Sequence, residues 1–217
     1  MQKADVIEAL NKAKTESPKR NFKQSFDLVM NLTGLDMKKT EHQVDQFIQL
    51  HYQPGRKVQV CALVGPELKD AAEQAVEKVI LSDDFDKYAQ NKKLTKKLAA
   101  EYQFFIGQAN IMPKIASAFG RVLGSRGKMP NPKAGLIVPP NANLKPLHEK
   151  LQMTVRASAR VAPVLQCLIG KEDMPDDQLA DNALMIYNTV INVLPNGENN
   201  VKNVFVKLTM GKPARVR

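Results

Sequence analysis

"KVQVCALVG", residues 57–65, is apolar at most positions and decides the fold class of the central part of the chain. A strand without alternation between apolar and polar residues is typical of a parallel sheet that is covered on both faces. Pro66 follows directly and suits the first turn of a helix, where a backbone N–H has no partner to lose. The stretch therefore predicts a buried parallel strand followed by a helix.

The same order of elements continues downstream. The predicted elements are a helix in "PELKDAAEQAVEK" (66–78), a strand in "VIL" (79–81), a helix in "NKKLTKKLAAEY" (91–102), a strand in "QFFIGQA" (103–109) and a helix in "IMPKIASAFGRVLG" (111–124). Strands that alternate with helices in this way predict a Rossmann-like α/β domain of three layers, with helices on both faces of the sheet.

Both ends of the chain have a different pattern, in which polar and apolar residues alternate along the strands. Residues 3–15 predict a helix that buries Ala4, Ile7, Leu10 and Ala13. The other predicted elements are strands over 21–34 and 42–52, a helix over 144–152, two strands within 152–170 joined by a turn near 157–162, a helix over 174–194 and a last strand over 201–211.

Two breaks divide the chain, "QPGRK" at 53–57 and "VPPNAN" at 138–143. We therefore predict an α+β terminal domain, residues 1–56 plus 140–217, with an antiparallel or mixed sheet and helices built from both chain ends. The α/β domain, residues 57–139, is inserted into it. The two crossings between the domains predict a two-stranded hinge.

Charge is segregated along the chain, which carries a formal net charge of +10. No Asp or Glu occurs between Tyr102 and His148, or after Asn200. A surface of one sign attracts polyanions such as nucleic acid. The acid-free stretch contains "GSRGKMPNPKAG" (124–135), whose prolines predict a loop. We predict that it forms a secondary basic loop with Arg121, Arg126, Lys128 and Lys133.

Several function classes lack the residues that they need. A phosphate-binding loop around Gly127 and Lys128 fails because Val122 and Met129 stand where glycine and a hydroxyl residue are required. The histidines are not at ligand spacing, and the cysteines, Cys61 and Cys167, lie in apolar runs typical of buried side chains. No apolar run is long enough to span a membrane. We expect no enzyme activity, cofactor or metal, and a cytoplasmic protein.

The last strand ends in "KLTMGKP" (207–213). Its alternation places Val204, Val206 and Leu208 in the core and Asn203, Phe205, Lys207 and Thr209 on the opposite face. Thr209 could exchange hydrogen bonds with a ribose 2′-hydroxyl, Met210 could pack on a ribose or base, and Gly211 could admit a ligand backbone. The alternative is an ordinary strand end followed by a turn.

Three separated motifs resemble one family. "GRVLGSRGKMPNPKAG" (120–135) resembles the signature loop of the large-subunit ribosomal protein L-one family, "KLTMGKP" resembles its C-terminal Thr-Met-Gly element, and "NFKQSFDL" (21–28) resembles its N-terminal strand. The resemblance extends over essentially the whole chain, including the inserted domain. One departure is Ser125, where the family often has proline.

The resemblance implies a ribosomal protein that binds the stalk region of large-subunit rRNA through the domain made from both termini. It also implies a role in the release of exit-site tRNA and repression of translation through a mimic of the rRNA site on the protein's own mRNA. The free protein is expected to be a monomer. Carried over by position, the RNA-binding residues are Phe22, Lys23, Gln24, Ser25, Asp27, Asn203, Lys207, Thr209, Met210, Gly211 and Lys212. Arg156 and Arg160 are added as phosphate contacts near the predicted turn.

Two alternatives stay open at this stage. One is a free-standing translational repressor that binds only mRNA. The other is an enzyme that holds a nucleotide in the inserted domain.

Overall fold

The computed structural model describes residues 1–216, which form two compact units. The terminal unit consists of Met1–Arg56 and the chain from Met153 onward, and the inserted unit consists of Lys57–Gln152. The strands within the described residues are β1 (Ser25–Leu32), β2 (Val44–Gln49), β3 (Val60–Val64), β4 (Lys78–Leu81), β5 (Phe104–Gln108), β6 (Ile137–Val138), β7 (Thr154–Ala159), β8 (Val164–Lys171), β9 (Val201–Leu208) and β10 (Ala214–Arg215). The α-helices of the same residues are α1 (Lys3–Thr15), α2 (Lys69–Ala75), α3 (Phe85–Gln90), α4 (Lys92–Glu101), α5 (Met112–Ser125), α6 (Leu144–Gln152) and α7 (Asp176–Val193).

In the terminal unit, an antiparallel sheet has the strand order β10-β9-β1-β8, and a second sheet pairs β2 with β7. Alternate residues of β1, such as Phe26 and Leu28, enter one core together with α1 and α7. The residues of β1 and β9 that alternate with them, such as Asp27, Asn203 and Lys207, are half-buried on the opposite face. We call that opposite face of β8, β1 and β9 the outer sheet face.

Three details of the terminal unit differ from the sequence-based prediction. α1 buries Val6 and Ala9 in addition to Leu10 and Ala13, whereas Ala4 is exposed. β7 and β8 do not pair with each other across their connecting turn, because β7 pairs with β2 and β8 pairs with β1. The short strand β10, which pairs with β9, was not predicted.

In the inserted unit, a parallel sheet has the strand order β4-β3-β5-β6. All five residues of β3 are buried, as its unbroken apolar run predicts. One core lies between the sheet and α2 and α6, and another lies between the sheet and α3, α4 and α5. The acidic turn at 82–84 leads into α3, a short helix that the sequence did not reveal.

The second boundary of the inserted unit follows α6 and does not lie near residue 140. Leu144 and Leu151 of α6 are buried in the same core as Val58 and Val60. Gln152 also binds the backbone of Val58 twice: Val58 N–H donates to Oε1 at 2.8 Å, and Nε2 donates to the Val58 carbonyl at 2.8 Å. These contacts tie the two ends of the insertion together.

Neither cysteine has the environment of a reactive thiol. Cys61 and Cys167 are buried and not joined in a disulfide, and burial raises the pKa of each thiol to about 12. They act as small apolar side chains, as predicted from their apolar neighbours.

No helix within residues 1–216 combines the length and the apolar character that a membrane span requires. The same residues contain no group of three or more His, Cys, Asp or Glu side chains arranged to hold a metal ion.

Candidate nucleic-acid interface

The predicted RNA-binding motifs at the two chain ends meet at one end of the β1–β9 pair. The two strands run antiparallel, with Phe26 opposite Leu208. The Phe22–Gln24 segment before β1 therefore lies beside the residues that follow β9. We call residues 209–212 the terminal turn.

Thr209 extends the β1–β9 ladder beyond the end of the strands. Its hydroxyl accepts a hydrogen bond from Ser25 N–H at 3.1 Å and donates to the Ser25 carbonyl at 3.2 Å. Its backbone N–H donates to the same carbonyl at 3.0 Å. Thr209 therefore fixes the terminal turn, and its hydroxyl retains one lone pair that could accept a further hydrogen bond.

Gln24 supports the terminal turn from below. Its side chain is 2% exposed, and Oε1 accepts a hydrogen bond from Met210 N–H at 3.1 Å. Its carbonyl accepts from Glu172 N–H at 3.0 Å. Gln24 was expected to lie on the binding surface, but these contacts bury it beneath the turn.

Gly211 is required by the protein's own packing. A Cβ at this position would collide with Ser17 Oγ, from the segment after α1, and would lie 3.1 Å from Leu208 Cβ. The space that we assigned to an approaching ligand backbone is thus occupied by Ser17. Within residues 1–216, this buried hydroxyl has no hydrogen-bond partner.

Two apolar side chains stay exposed at this end of the sheet. Met210 is 58% exposed in the terminal turn, and Phe22 is 51% exposed in the segment before β1. Water contact at large apolar side chains is unfavourable, and burying each against a ligand would release free energy. Both residues fit the contact role that the motifs predict for them.

The outer sheet face carries a carboxylate among polar and cationic groups. Asp27 lies opposite Lys207 in the β1–β9 register, and Gln166 Nε2 of β8 donates to its Oδ2 at 3.4 Å. Burial raises the pKa of Asp27, and the Gln166 hydrogen bond and the Lys207 charge only partly offset it. Lys207 Nζ also donates to the Thr209 carbonyl at 3.2 Å. Asp27 is thus positioned as a hydrogen-bond acceptor.

Gln166 was missed in the sequence, although it is a polar residue in the apolar stretch "VLQCLIG" and alternation places it on the outer sheet face. Asn203 lies on the same face, opposite Asn31 of β1. Lys23 is exposed and forms an ion pair with Asp173 at 2.7 Å, and Lys212 is exposed in the terminal turn. The structure thus brings most of the predicted residues to one face and one end of the sheet.

Arg156 and Arg160 belong to the other sheet of the terminal unit and are committed to a carboxylate. Arg156 Nε donates to Asp45 Oδ1 at 2.7 Å, and Arg160 Nη2 donates to Asp45 Oδ2. The guanidinium of Arg156 also lies 5.5 Å from the ring centroid of Phe47. Asp45 offsets part of the charge of the two arginines, and their role as phosphate contacts stays a prediction.

Acidification is expected to weaken this cluster. Burial opposes ionisation of Asp45, but hydrogen bonds from Arg156 and Arg160 outweigh it and lower its pKa. A lowered pKa in the folded state stabilises the protein above the ordinary aspartate pKa of about 3.9, and this contribution is lost as the pH falls through the folded value. Asp45→Asn should therefore destabilise the protein at neutral pH, and its difference from wild type should shrink in acid. Urea unfolding of the wild type and of Asp45→Asn at several pH values measures this difference in the free energy of unfolding.

Asp86→Asn provides the control, because Asp86 is exposed and outside the cluster. A constant difference between wild type and Asp45→Asn from neutral pH to pH about 2 would contradict the assignment, since protonation must remove the carboxylate's contribution.

In the inserted unit, the predicted basic loop is partly structural. α5 ends at Ser125, and Gly127 follows its C-cap, Arg126, with φ +64°. The N–H groups of Gly127 and Lys128 donate to the carbonyls of Gly124 and Leu123 at 3.0 and 2.8 Å. This is a Schellman turn, in which glycine adopts the left-handed conformation. The loop therefore has a fixed path away from the helix.

Lys128 does not present its charge outward as predicted. Its Nζ donates to the carbonyls of Ala99 and Tyr102, at 2.9 and 2.7 Å, at the carboxyl end of α4. A cation there satisfies carbonyls that the helix leaves without partners. Arg121, Arg126 and Lys133 are exposed, as expected of cations that meet a polyanion.

Lys128 and Arg126 are expected to respond differently to substitution. Lys128→Met should lower the free energy of unfolding of the inserted unit by about 1–3 kcal/mol, because two carbonyls lose a charged donor. Arg126→Ala should leave stability unchanged and reduce the salt dependence of RNA binding by about one unit if it meets a phosphate. Hydrogen exchange of the α4 amides measures the loss of stability in Lys128→Met. RNA titrations at several salt concentrations measure the salt dependence of binding in Arg126→Ala. Unchanged exchange in Lys128→Met would contradict the structural role.

The geometry of the terminal unit indicates the class of protein. The chain is basic, and its two ends together form the outer sheet face and the adjoining terminal turn. This surface carries amides, hydroxyls, cations and exposed apolar side chains. These are the properties of a nucleic-acid-binding protein.

Comparison with known proteins agrees with this class. The model of the ribosomal protein L1p/L10e family matches residues 11–212. "Large ribosomal subunit protein uL1" of Methanothermococcus thermolithotrophicus is 38% identical over 216 residues, which cover 100% of this chain and 99% of the relative. The protein of the same name from Nanoarchaeum equitans is 41% identical over 214 residues, 97% of this chain and 98% of the relative. That of Thermococcus kodakarensis is 37% identical over 212 residues, 97% and 96% of the two chains.

The chain belongs to the ribosomal protein L1p/L10e family. This confirms the family that the three motifs indicate. The relatives bear names of a ribosomal component and not of an enzyme, in agreement with the prediction that the chain is not an enzyme.

Proposed function

We propose that this chain is a ribosome-associated protein of the large subunit that binds the stalk region of large-subunit rRNA through its terminal unit. The observation that carries the proposal is the pairing of β1 with β9, which joins the "NFKQSFDL" and "KLTMGKP" motifs at one end of a sheet. The names of the relatives and the net charge of +10 support the same function.

The surface would act by combining several modest contacts. Met210 and Phe22 provide apolar area for ribose or base faces, and Lys207 and Lys212 provide cations for phosphate. Asp27 would repel a phosphate, so it accepts from a ribose hydroxyl or a base amino group. The preference for a particular RNA sequence or shape then comes from the hydrogen-bond acceptors and the fixed terminal turn. The cations contribute affinity for RNA at low salt.

Thr209→Val tests the surface with little change in side-chain volume. We expect it to weaken binding to a stalk rRNA fragment by about 1–2 kcal/mol, because the terminal turn loses both hydroxyl bonds to Ser25. Calorimetric titration of the stalk fragment and of an unrelated RNA of equal length measures the effect. Thr33→Val is a control, because Thr33 is an exposed threonine just after β1.

Equal losses of affinity for the stalk fragment and the unrelated RNA would contradict specific recognition. Co-sedimentation with large subunits at moderate salt separates the ribosomal function from a free-standing mRNA-binding repressor. Only the former predicts stoichiometric binding to the subunit.

The same surface would serve autoregulation. An mRNA segment that imitates the rRNA site would bind the same turn and sheet face, so rRNA and mRNA should compete for one site per chain. A titration in which both RNAs bind together would exclude this part of the proposal.

The inserted unit would act on exit-site tRNA. Arg121, Arg126 and Lys133 form an exposed basic surface there, and the chain crosses between the units only at 56–57 and 152–153. These two crossings would serve as the hinge of the moving stalk. Crosslinking from Arg126→Cys to tRNA on the ribosome tests the contact.

A further inference from the structure

A cavity of about 470 Å³ opens beside the terminal turn, entirely within the terminal unit. Lys19 and Arg20 of the segment after α1 line one part of it, and Glu172 and Asp173 after β8 line another. The other lining residues are Lys14, Ser17, Pro18, Gln24 and Leu208. The cavity thus has cations, carboxylates, an amide and an apolar side chain within the reach of one ligand.

The amide of Gln24 points to a ligand. Its Oε1 is held by Met210 N–H, which fixes the orientation of the amide group. Its Nε2 forms no hydrogen bond within residues 1–216 and is not one of the fully buried polar atoms of these residues, so it remains accessible in the cavity. A donor whose orientation the protein already fixes loses little conformational entropy when it binds an acceptor. An acceptor that enters the cavity could therefore bind it.

Some of the charged side chains that line the cavity already form ion pairs, and the charges that remain unpaired restrict which ligands could bind. Lys23 neutralises Asp173 at 2.7 Å, and Lys14 pairs with Asp176. The ion pairs found within residues 1–216 do not involve Lys19, Arg20 or Glu172. A bare phosphate would meet these two unpaired cations, but the unpaired carboxylate of Glu172 would repel it.

A nucleotide suits this arrangement better than a simple anion. The edge of a nucleobase carries acceptors and donors side by side. One acceptor would take the Gln24 N–H, and one donor would reach the Glu172 carboxylate, while the attached phosphate would lie at Lys19 and Arg20. Leu208 would contact the face of the base.

We propose that this cavity, which we call the Gln24 cavity, receives one unstacked nucleotide of the bound RNA, with its base inside and its phosphate at the rim. The proposal rests on the proposed function, because an RNA strand on the terminal turn would bring nucleotides to the cavity mouth. A nucleotide that is already unpaired in the RNA has the least stacking to lose on entering.

Nuclear magnetic resonance of the isotope-labelled full chain provides the test. The probes are the four nucleoside monophosphates and, separately, inorganic phosphate. We expect at least one monophosphate to shift the side-chain amide signals of Gln24 saturably, with a Kd on the order of 1 mM. The side-chain amide of Gln166 should not shift, because Gln166 lies on the outer sheet face and does not line the cavity.

Glu172→Gln tests the base contact without removing a packed side chain. It should weaken monophosphate binding at least about fivefold, as expected for loss of a charged acceptor. Glu41→Gln is the matched control, because Glu41 is an exposed glutamate of the same unit and does not line the cavity. The proposal is overturned if no monophosphate shifts the Gln24 amide, or if inorganic phosphate alone reproduces the shift with the same affinity.

Binding of the stalk rRNA fragment separates this proposal from the proposed function. If the fragment binds tightly but neither shifts the Gln24 amide nor responds to Glu172→Gln, the cavity proposal fails and the proposed function stands. If the fragment binds no better than unrelated RNA, the proposed function fails whatever the monophosphates do.

Discussion

Gly211→Ala is expected to lower the free energy of unfolding of the terminal unit by about 1–3 kcal/mol, the usual cost of overpacking a close contact. The added methyl would collide with Ser17 Oγ and would lie 3.1 Å from Leu208 Cβ. Because the segment after α1 and the terminal turn must move apart, we also expect weaker binding of the stalk rRNA fragment. Hydrogen exchange of β9 amides measures the stability of this unit separately from the inserted unit.

A double-mutant cycle assigns the effect to one atom. Ser17→Ala removes the hydroxyl that a methyl on Gly211 would meet, and it also removes a buried oxygen that has no partner within residues 1–216. Alone it should leave stability unchanged or slightly higher. Combined with Gly211→Ala it should recover most of the lost stability, so the two changes are strongly coupled. Gly120→Ala is the control, because nothing lies within 4 Å of its added methyl.

The RNA affinity of the double variant decides what Gly211 is for. If internal packing is the reason for the glycine, affinity returns together with stability. If a ribose backbone approaches Gly211 directly, affinity stays low although the fold is restored. Since Ser17 occupies the space on that side, we expect the affinity to return.

The sequence predicted those parts of the fold that periodicity determines. The unbroken apolar run of β3 indicated a covered parallel sheet, and alternation in β9 separated Val204 and Val206 from Asn203 and Lys207 as the structure does. Both signals are local, because successive side chains of a strand point to opposite faces of the sheet, so a few neighbouring residues show which faces are buried.

The boundary of the insertion depended on distant contacts and was misplaced. The prolines at 139 and 140 break the chain visibly, whereas α6 is assigned by the packing of Leu144 and Leu151 and by the bonds between Gln152 and Val58. Nothing in a local pattern indicates which of two cores will accept an amphipathic helix.

The candidate site was predicted in position but not in the role of each residue. Asp45 lies 111 residues before Arg156, so their ion pair could not be read from spacing. The same holds for Lys128 and the carbonyls of α4, and for Gln24 and Met210. Side chains that look available in a motif are thus often committed to the backbone that positions their neighbours.

Met210→Ala is expected to have the largest specific effect on RNA affinity. Burying a methionine side chain gains about 1.5–3 kcal/mol, so its truncation should weaken binding of the stalk rRNA fragment roughly 10- to 100-fold. Because Met210 is 58% exposed in the free protein, its loss should hardly change the free energy of unfolding. Titration calorimetry of the fragment and urea unfolding measure the two quantities.

Two further variants make this result specific. Met210→Leu retains most of the apolar area and should lose much less affinity than Met210→Ala. Val161→Ala truncates a side chain that is 92% exposed in the turn between β7 and β8, and it should leave affinity unchanged. The salt dependence of binding should be the same in all of them, because no cation is altered. If Met210→Ala and Val161→Ala bind alike, the thioether contacts no RNA, and recognition has to come from the outer sheet face.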